Sequence, residues 1–162
     1  MNQATEKCLD IKEMSNWPQI SLNTNNDNSR CFGCGPNNPI GLKLKFQTDG
    51  KTVRTEFTPG EQYQGWSGYL HGGITACILD EVLSQAVHME GLNCVTARLD
   101  TKLTHLIPLN QPIVITSSVT QKTRKVIKTK ATVYLQDGTI AAEGNGTHFV
   151  VSQKENPNGQ EK

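Results

Sequence analysis

The stretch Tyr69-Leu70-His71-Gly72-Gly73-Ile74-Thr75-Ala76-Cys77-Ile78-Leu79-Asp80-Glu81 decides how this chain is read, because a glycine pair opens a mostly apolar helix that carries a carboxylate two turns in. The first N–H groups of a helix have no partner within it, and the helix dipole favours negative charge at that end. The His71-Gly72-Gly73 opening therefore leaves free backbone N–H groups where developing negative charge is favoured. Asp80 stands where a base or nucleophile works. At ~100° per residue, Ala76, Leu79, Val82, Leu83, Ala86 and Val87 form one broad apolar stripe. Asp80 lies at its edge, with Glu81, Ser84, Gln85 and His88 beyond. Ile74, Cys77 and Ile78 interrupt the far side with apolar surface, so that face is expected to meet something other than bulk water. The helix is expected to end near Met89.

Working outward, Leu42, Leu44 and Phe46 alternate, Asp49-Gly50 reads as a hairpin turn, and Val53, Thr55 and Phe57 alternate again, which predicts strand, turn, strand. Residues 59–69, with Gly60, Gly65 and Gly68, form a loop that delivers the chain to His71. After Gly91 come Val95, Ala97, Leu99 and Leu103, then Pro108 and Pro112 bracket a turn before Ile113, Ile115 and Val119. Ile127, Thr129, Ala131, Val133 and Leu135 face one way, Asp137-Gly138 turns, and residues 140–151 run back. The order is β-β-α-β-β-β-β. One antiparallel sheet with one long central helix is an α+β design in which the sheet must wrap the helix to bury it.

A chain of 162 residues is expected to form one domain with a real core. Its formal net charge of +1 gives no electrostatic footprint of the kind that duplex nucleic acid or an anionic membrane selects. No stretch approaches the ~18 apolar residues of a membrane span. Five cysteines, an odd number, and an N-terminus without a signal-like apolar run fit a reducing cytoplasm. Residues 1–30 and 152–162 are polar and read as tails, although Leu9, Ile11, Met14 and Trp17 offer a short docking helix that Pro18 would stop.

With these residues in view, the chain resembles the hotdog-fold acyl-CoA thioesterases of the PaaI-like type. The resemblance rests on the element order, on His71-Gly72-Gly73 with Asp80 nine positions after the histidine, and on Cys31-Phe32-Gly33-Cys34-Gly35, Asn38-Pro39-Ile40-Gly41-Leu42, Tyr63-Gln64-Gly65 and Leu79-Asp80-Glu81. It covers residues 31–151, the expected domain. It implies an α+β hotdog fold and hydrolysis of acyl-CoA thioesters. Asp80 would attack the thioester or activate the water that does, and Gly72 would supply the oxyanion-hole N–H. Thr96 falls where such enzymes place a hydroxyl that orients water, and Gln64 lies near the polar side chain that assists the thioester carbonyl. Some relatives use Asn one position nearer the histidine, where this chain has Gly65.

Plainer readings stand beside each of these. His71 caps the helix or packs as readily as it polarises a carbonyl, Thr96 is equally a strand residue, and Glu81 is expected to be a hydrogen-bond partner of a loop. Tyr63, Trp66 and Tyr69 either line an acyl pocket or meet another subunit. Lys122, Arg124 and Lys125 sit at a turn close to where related enzymes hold the coenzyme A nucleotide; they either bind its phosphates or form a solvated hairpin. Cys31 and Cys34 invite a zinc reading, yet a structural zinc site wants four ligands and the chain has no second Cys-x-x-Cys. No metal is expected there, and no cofactor, coenzyme A being part of the substrate.

Gly72 and Asp80 are eight residues apart on one helix, hence separated by about 12 Å at ~1.5 Å per residue. If both act on one carbonyl, Asp80 must come from a second copy whose helix runs antiparallel, giving a homodimer or a dimer of dimers with two identical sites per dimer. Two other classes stand behind hydrolysis: acyl binding without turnover, and a hydratase or dehydratase on the same fold. The last would pair a catalytic histidine with a carboxylate in a different motif.

Overall fold

The computed structural model describes residues 16–20 and 28–153. Six strands, β1 (Phe46–Thr48), β2 (Thr52–Phe57), β3 (Leu92–Leu103), β4 (Ile113–Lys122), β5 (Val126–Tyr134) and β6 (Ile140–Gln153), accompany one helix, α1 (Gly72–Met89). They make a single sheet in the order β1-β2-β4-β5-β6-β3, every neighbour antiparallel. Helix α1 lies between β2 and β3 in sequence and packs on β2, β3, β4, β5 and β6. The sheet curls around it, as the apolar stripe requires.

The core joins Leu79, Val82, Leu83 and Ala86 of the helix to Phe46, Val53, Ile113, Ile115, Ala131, Val133 and Ala142 of the sheet. Burying a residue of this kind stabilises by roughly 1.5–3 kcal/mol. Ile78 is also fully buried, so the apolar stripe is wider than its pattern suggested, and the flank that carries Ile78 meets the core rather than bulk water. Gln85 is buried as well because its amide donates to the Glu81 carboxylate at 3.0 Å. Ser117 Oγ donates to the Val82 carbonyl at 2.6 Å, fixing the helix on β4.

Two local readings change. Leu42 and Leu44 alternate in burial with Lys43, but they are not strand; Lys43 has φ 56°, and Leu42 and Leu44 donate their N–H groups to the carbonyls of Phe32 and Gly33. In the first hairpin the register pairs Thr48 with Val53. This makes Gly50-Lys51 the central pair, with Gly50 at φ 90° and the Asp49 carboxylate accepting from the N–H groups of Lys51 and Thr52.

Residues 17–20, expected within the N-terminal tail, run along β1. Ile20 donates to the Phe46 carbonyl, Thr48 to the Pro18 carbonyl, and Gln19 bridges Gln47. The expected docking residues Leu9, Ile11 and Met14 lie outside the described residues. At the opposite edge, β3 pairs with β6 along one side only and is interrupted by irregularities between Asn93 and Cys94 and between Thr96 and Arg98.

Candidate active site

Helix α1 starts where the loop is pinned: the His71 N–H donates to the Tyr63 carbonyl and the Leu70 N–H to that of Ile107. His71 is the N-cap, its Nδ1 accepting from the Gly73 N–H at 2.9 Å. Of the alternatives for His71 this is the cap. It places the ring proton of the neutral imidazole on Nε2, and it engages the Gly73 N–H. The Gly72 N–H has no acceptor among the described residues, so of the two glycines Gly72 is the one left with an unclaimed donor. A Cβ at Gly72 would stand 3.0 Å from the Leu103 side chain on β3; the helix start and that strand bound a narrow space.

Gln64 shapes the approach loop. Its Oε1 accepts from the Gly68 N–H at 2.9 Å, and the residue bridges Leu70. Tyr63 turns inward, its ring 5.6 Å from that of Phe57 and its hydroxyl donating to the Gly41 carbonyl. Trp66 is 77% exposed.

Asp80 is half-buried, and its Oδ1 is buried without a hydrogen-bond partner among the described residues. Native structures rarely leave such an acceptor alone, since an unsatisfied buried group costs about 1–3 kcal/mol. Around it stand polar groups from four elements. Ser84 Oγ, one helical turn on, lies 3.4 Å from Thr96 Oγ1 of β3, which lies 3.4 Å from His148 Nδ1 of β6. His148 Nε2 completes the line at 2.8 Å from Thr129 Oγ1 of β5. Thr96 thus faces the helix with Ser84 and His148. Burial holds the His148 imidazole below its ordinary value, with the Asp80 charge acting in the opposite sense. Burial raises the Cys94 thiol to about 11, and Asp80 adds to the rise.

Sequence reasoning missed His148. The signal was present in Gly144-Asn145-Gly146-Thr147-His148, whose alternate positions all face inward. A glycine inside a strand marks close approach. A Cβ on Gly144 would press on Leu79 and Leu83, and one on Gly146 would lie 2.5 Å from His148 Nε2.

On the other flank of the helix, Glu81 meets the loop of Cys31 and Cys34. Cys31 Sγ lies 3.5 Å from Glu81 Oε2, and a Cβ on Gly33 would fall on that carboxylate. The Cys34 thiol is strongly raised, chiefly by burial and then by Glu81. Cys77, one turn before Glu81, is raised by burial and then by Glu81 to about 11.

The basic turn lies at the far end of α1. Lys122 Nζ donates to Glu90 Oε2 at 2.7 Å, next to the helix C-terminus. Arg124 and Lys125 are exposed between β4 and β5. The structure therefore gathers Asp80, Thr96 and His148 at mid-helix, leaves Gly72, His71 and Gln64 at the helix start, and sets the basic residues at its end.

A single antiparallel sheet curled on one long helix, with a capped N-terminus and a carboxylate two turns in, defines a hotdog domain. Residues 67–142 match the family model described as the thioesterase superfamily. Over that stretch and in its fold, this domain is similar to that superfamily. Acyl-coenzyme A thioesterase THEM5 of Homo sapiens is 32% identical over 69 residues, which are 43% of this chain and 28% of that protein. The match thus spans little more than a quarter of that curated relative's length. Among solved structures, a thioesterase superfamily protein aligns with TM-score 0.66 and 30% identity over 70% of this chain and 59% of that one. The PaaI protein of E. coli aligns with TM-score 0.65 and 15% identity over 70% and 83%.

Proposed function

We propose that this chain hydrolyses acyl-CoA thioesters to a free acid and coenzyme A, at a site built from two copies of the chain. The observation that carries the reading is the Asp80 carboxylate, held with one oxygen buried and unpartnered on the same helix as the unclaimed Gly72 N–H. The human relative's name supplies the substrate class. At ~1.5 Å per residue the eight residues between these groups span about 12 Å, too far for one carbonyl. The Gly72 of one copy therefore works with the Asp80 of another whose helix runs antiparallel. The free edge of β3 supports this pairing, because Val95 and Phe149, opposite one another on β3 and β6, and Leu103 are all exposed.

In that site the thioester oxygen sits at the Gly72 N–H, where a preorganised donor contributes on the order of 10²–10³ in rate. Acting as base, Asp80 takes a proton from water as the new C–O bond forms. The tetrahedral oxyanion then collapses and expels the coenzyme A thiolate. Acting as nucleophile, it forms the C–O bond itself, the C–S bond breaks to expel the thiolate, and water later cleaves the resulting anhydride. Thr96, held between Ser84 and His148, orients the water in either case. Glu90 lies ten residues beyond Asp80, roughly 15 Å along the axis, so Arg124 and Lys125 stand at a reach suited to the phosphates at the far end of a pantetheine arm.

Release of free coenzyme A from short, long and aromatic acyl-CoAs tests the reading against Asp80→Asn. Turnover in the wild type that falls with the variant while KM changes little supports it. Tight acyl-CoA binding without turnover in the wild type replaces it with the binding-module reading.

A further inference from the structure

We propose that Cys31, Cys34 and Glu81 form a binding site for one soft divalent cation of the zinc class, which clamps the 31–35 loop to helix α1. The site goes beyond the hydrolase reading and does not depend on it. Three ligand atoms, two thiol sulfurs and one carboxylate oxygen, lie within 4.8 Å of one another and converge from a loop and a helix far apart in sequence. Around tetrahedral zinc, with Zn–S near 2.3 Å and Zn–O near 2.1 Å, ligand atoms are spaced about 3.6 Å (S to O) and about 3.8 Å (S to S). The Cys31 Sγ to Glu81 Oε2 separation of 3.5 Å already has that spacing.

The surroundings are those of a ligand set held in advance. Glu81 Oε1 accepts from the buried Gln85 amide, which fixes the carboxylate with Oε2 toward the thiols, the kind of outer contact that orients metal ligands. Gly33 leaves open the room that a Cβ would take from Glu81. Gly35 folds back so that its N–H donates to the Cys31 carbonyl at 3.0 Å, and Leu42 and Leu44 hold the carbonyls of Phe32 and Gly33. These contacts bring two thiols and a carboxylate together at partial burial. The Cys-x-x-Cys spacing lacked further ligands in sequence, and the fold supplies one from α1, leaving a fourth position for water. On binding, each thiol releases its proton to the buffer as the metal–sulfur bond forms.

The test is an anaerobic titration of the reduced, metal-free full chain with Co²⁺ followed by Zn²⁺. We expect one equivalent of Co²⁺ to give thiolate-to-cobalt charge-transfer absorption and tetrahedral visible bands, both erased by one equivalent of Zn²⁺. Cys31→Ser and Cys34→Ser remove or halve the charge-transfer band, and Glu81→Gln weakens Zn²⁺ binding about tenfold or more. Cys94→Ser, on β3, leaves the spectrum unchanged. Reduced wild type without the charge-transfer band overturns the proposal, as does a band that survives in a double Cys31→Ser, Cys34→Ser chain. Should the double variant not fold, Cys31→Ser with its fold confirmed by circular dichroism decides instead, and a charge-transfer band undiminished from wild type overturns the proposal.

Discussion

Replacing Gly72 with proline removes one N–H and almost nothing else. Gly72 is the first residue of α1, the position where proline is favoured because the lost N–H has no partner inside the helix. The residue before it, His71, has φ −66° and ψ 132°, the extended geometry that a following proline demands. The cap survives, since it runs between His71 Nδ1 and the Gly73 N–H. The ring approaches the Leu103 side chain, whose end is 3.0 Å from a Cβ here and is free to rotate away. Stability is therefore expected to change little, or to rise by about 0.4–1 kcal/mol through the stiffer unfolded chain. If the Gly72 N–H holds the oxyanion, kcat falls about 10²–10³-fold, some 2.7–4 kcal/mol of transition-state stabilisation. Steady-state acyl-CoA hydrolysis with direct measurement of substrate loss reads the first number, and urea denaturation the second. If the companion Asp80 belongs to the other copy, mixing Gly72→Pro with Asp80→Asn chains and letting subunits exchange restores about one quarter of wild-type activity: half the dimers are mixed, and each holds one intact site of two. A proline variant that folds and keeps kcat within tenfold refutes the oxyanion assignment. Mixed chains that stay inactive after demonstrated exchange refute the shared site.

The imidazole of His148 is held below its ordinary value of 6.5 in the fold, so on acidification the unfolded chain takes up this proton first. Stability is expected to fall as pH drops below about 6.5 and to level off once the folded histidine is protonated; in His148→Gln, denaturation midpoints should lose that part of the slope, and an identical slope would remove His148 from the balance. Gly146→Ala puts a methyl group 2.5 Å from His148 Nε2 and 2.7 Å from Thr129 Oγ1, which should cost about 1–3 kcal/mol by overpacking. A Tm within one degree of wild type would mean that the ring moves aside freely. Replacing both Arg124 and Lys125 with alanine should raise KM for acyl-CoA severalfold and flatten its dependence on salt. Lys122→Ala should do less, because Glu90 already engages its ammonium; an unchanged KM in the double variant would take the turn out of substrate binding.

The helix was legible because its pattern has one period and one partner surface: Leu79, Val82, Leu83 and Ala86 all pack on the curled sheet. Ile78 fell outside the stripe because the sheet wraps farther round the helix than a stripe one face wide can reveal, and Gln85 because its burial depends on Glu81, a tertiary circumstance of that flank. Leu42 and Leu44 mark the difference between burial and pairing. Their alternation reports which way side chains point, whereas Lys43 at φ 56° decides that no strand forms. Of the candidate site, the positions of Gly72 and Asp80 follow from local sequence alone. The line from Ser84 through Thr96 to His148 joins α1, β3 and β6 and arises only when distant strands close. The approach of Glu81 to Cys31 and Cys34 is of the same kind.

The two ends of the sheet are unlike. Along β1 the chain lays its own residues 17–20, through Gln19 and Gln47 and two further backbone bonds, while β3 is an edge strand that neighbours β6 alone among the described strands. A sheet stoppered at one end offers a single template. Two such sheets that meet along β3 consume both templates at once, and the resulting ribbon presents only stoppered ends. In such an assembly growth would terminate at a pair, with the short segment on β1 serving as a chain terminator against the edge-to-edge polymerisation that long open strands invite.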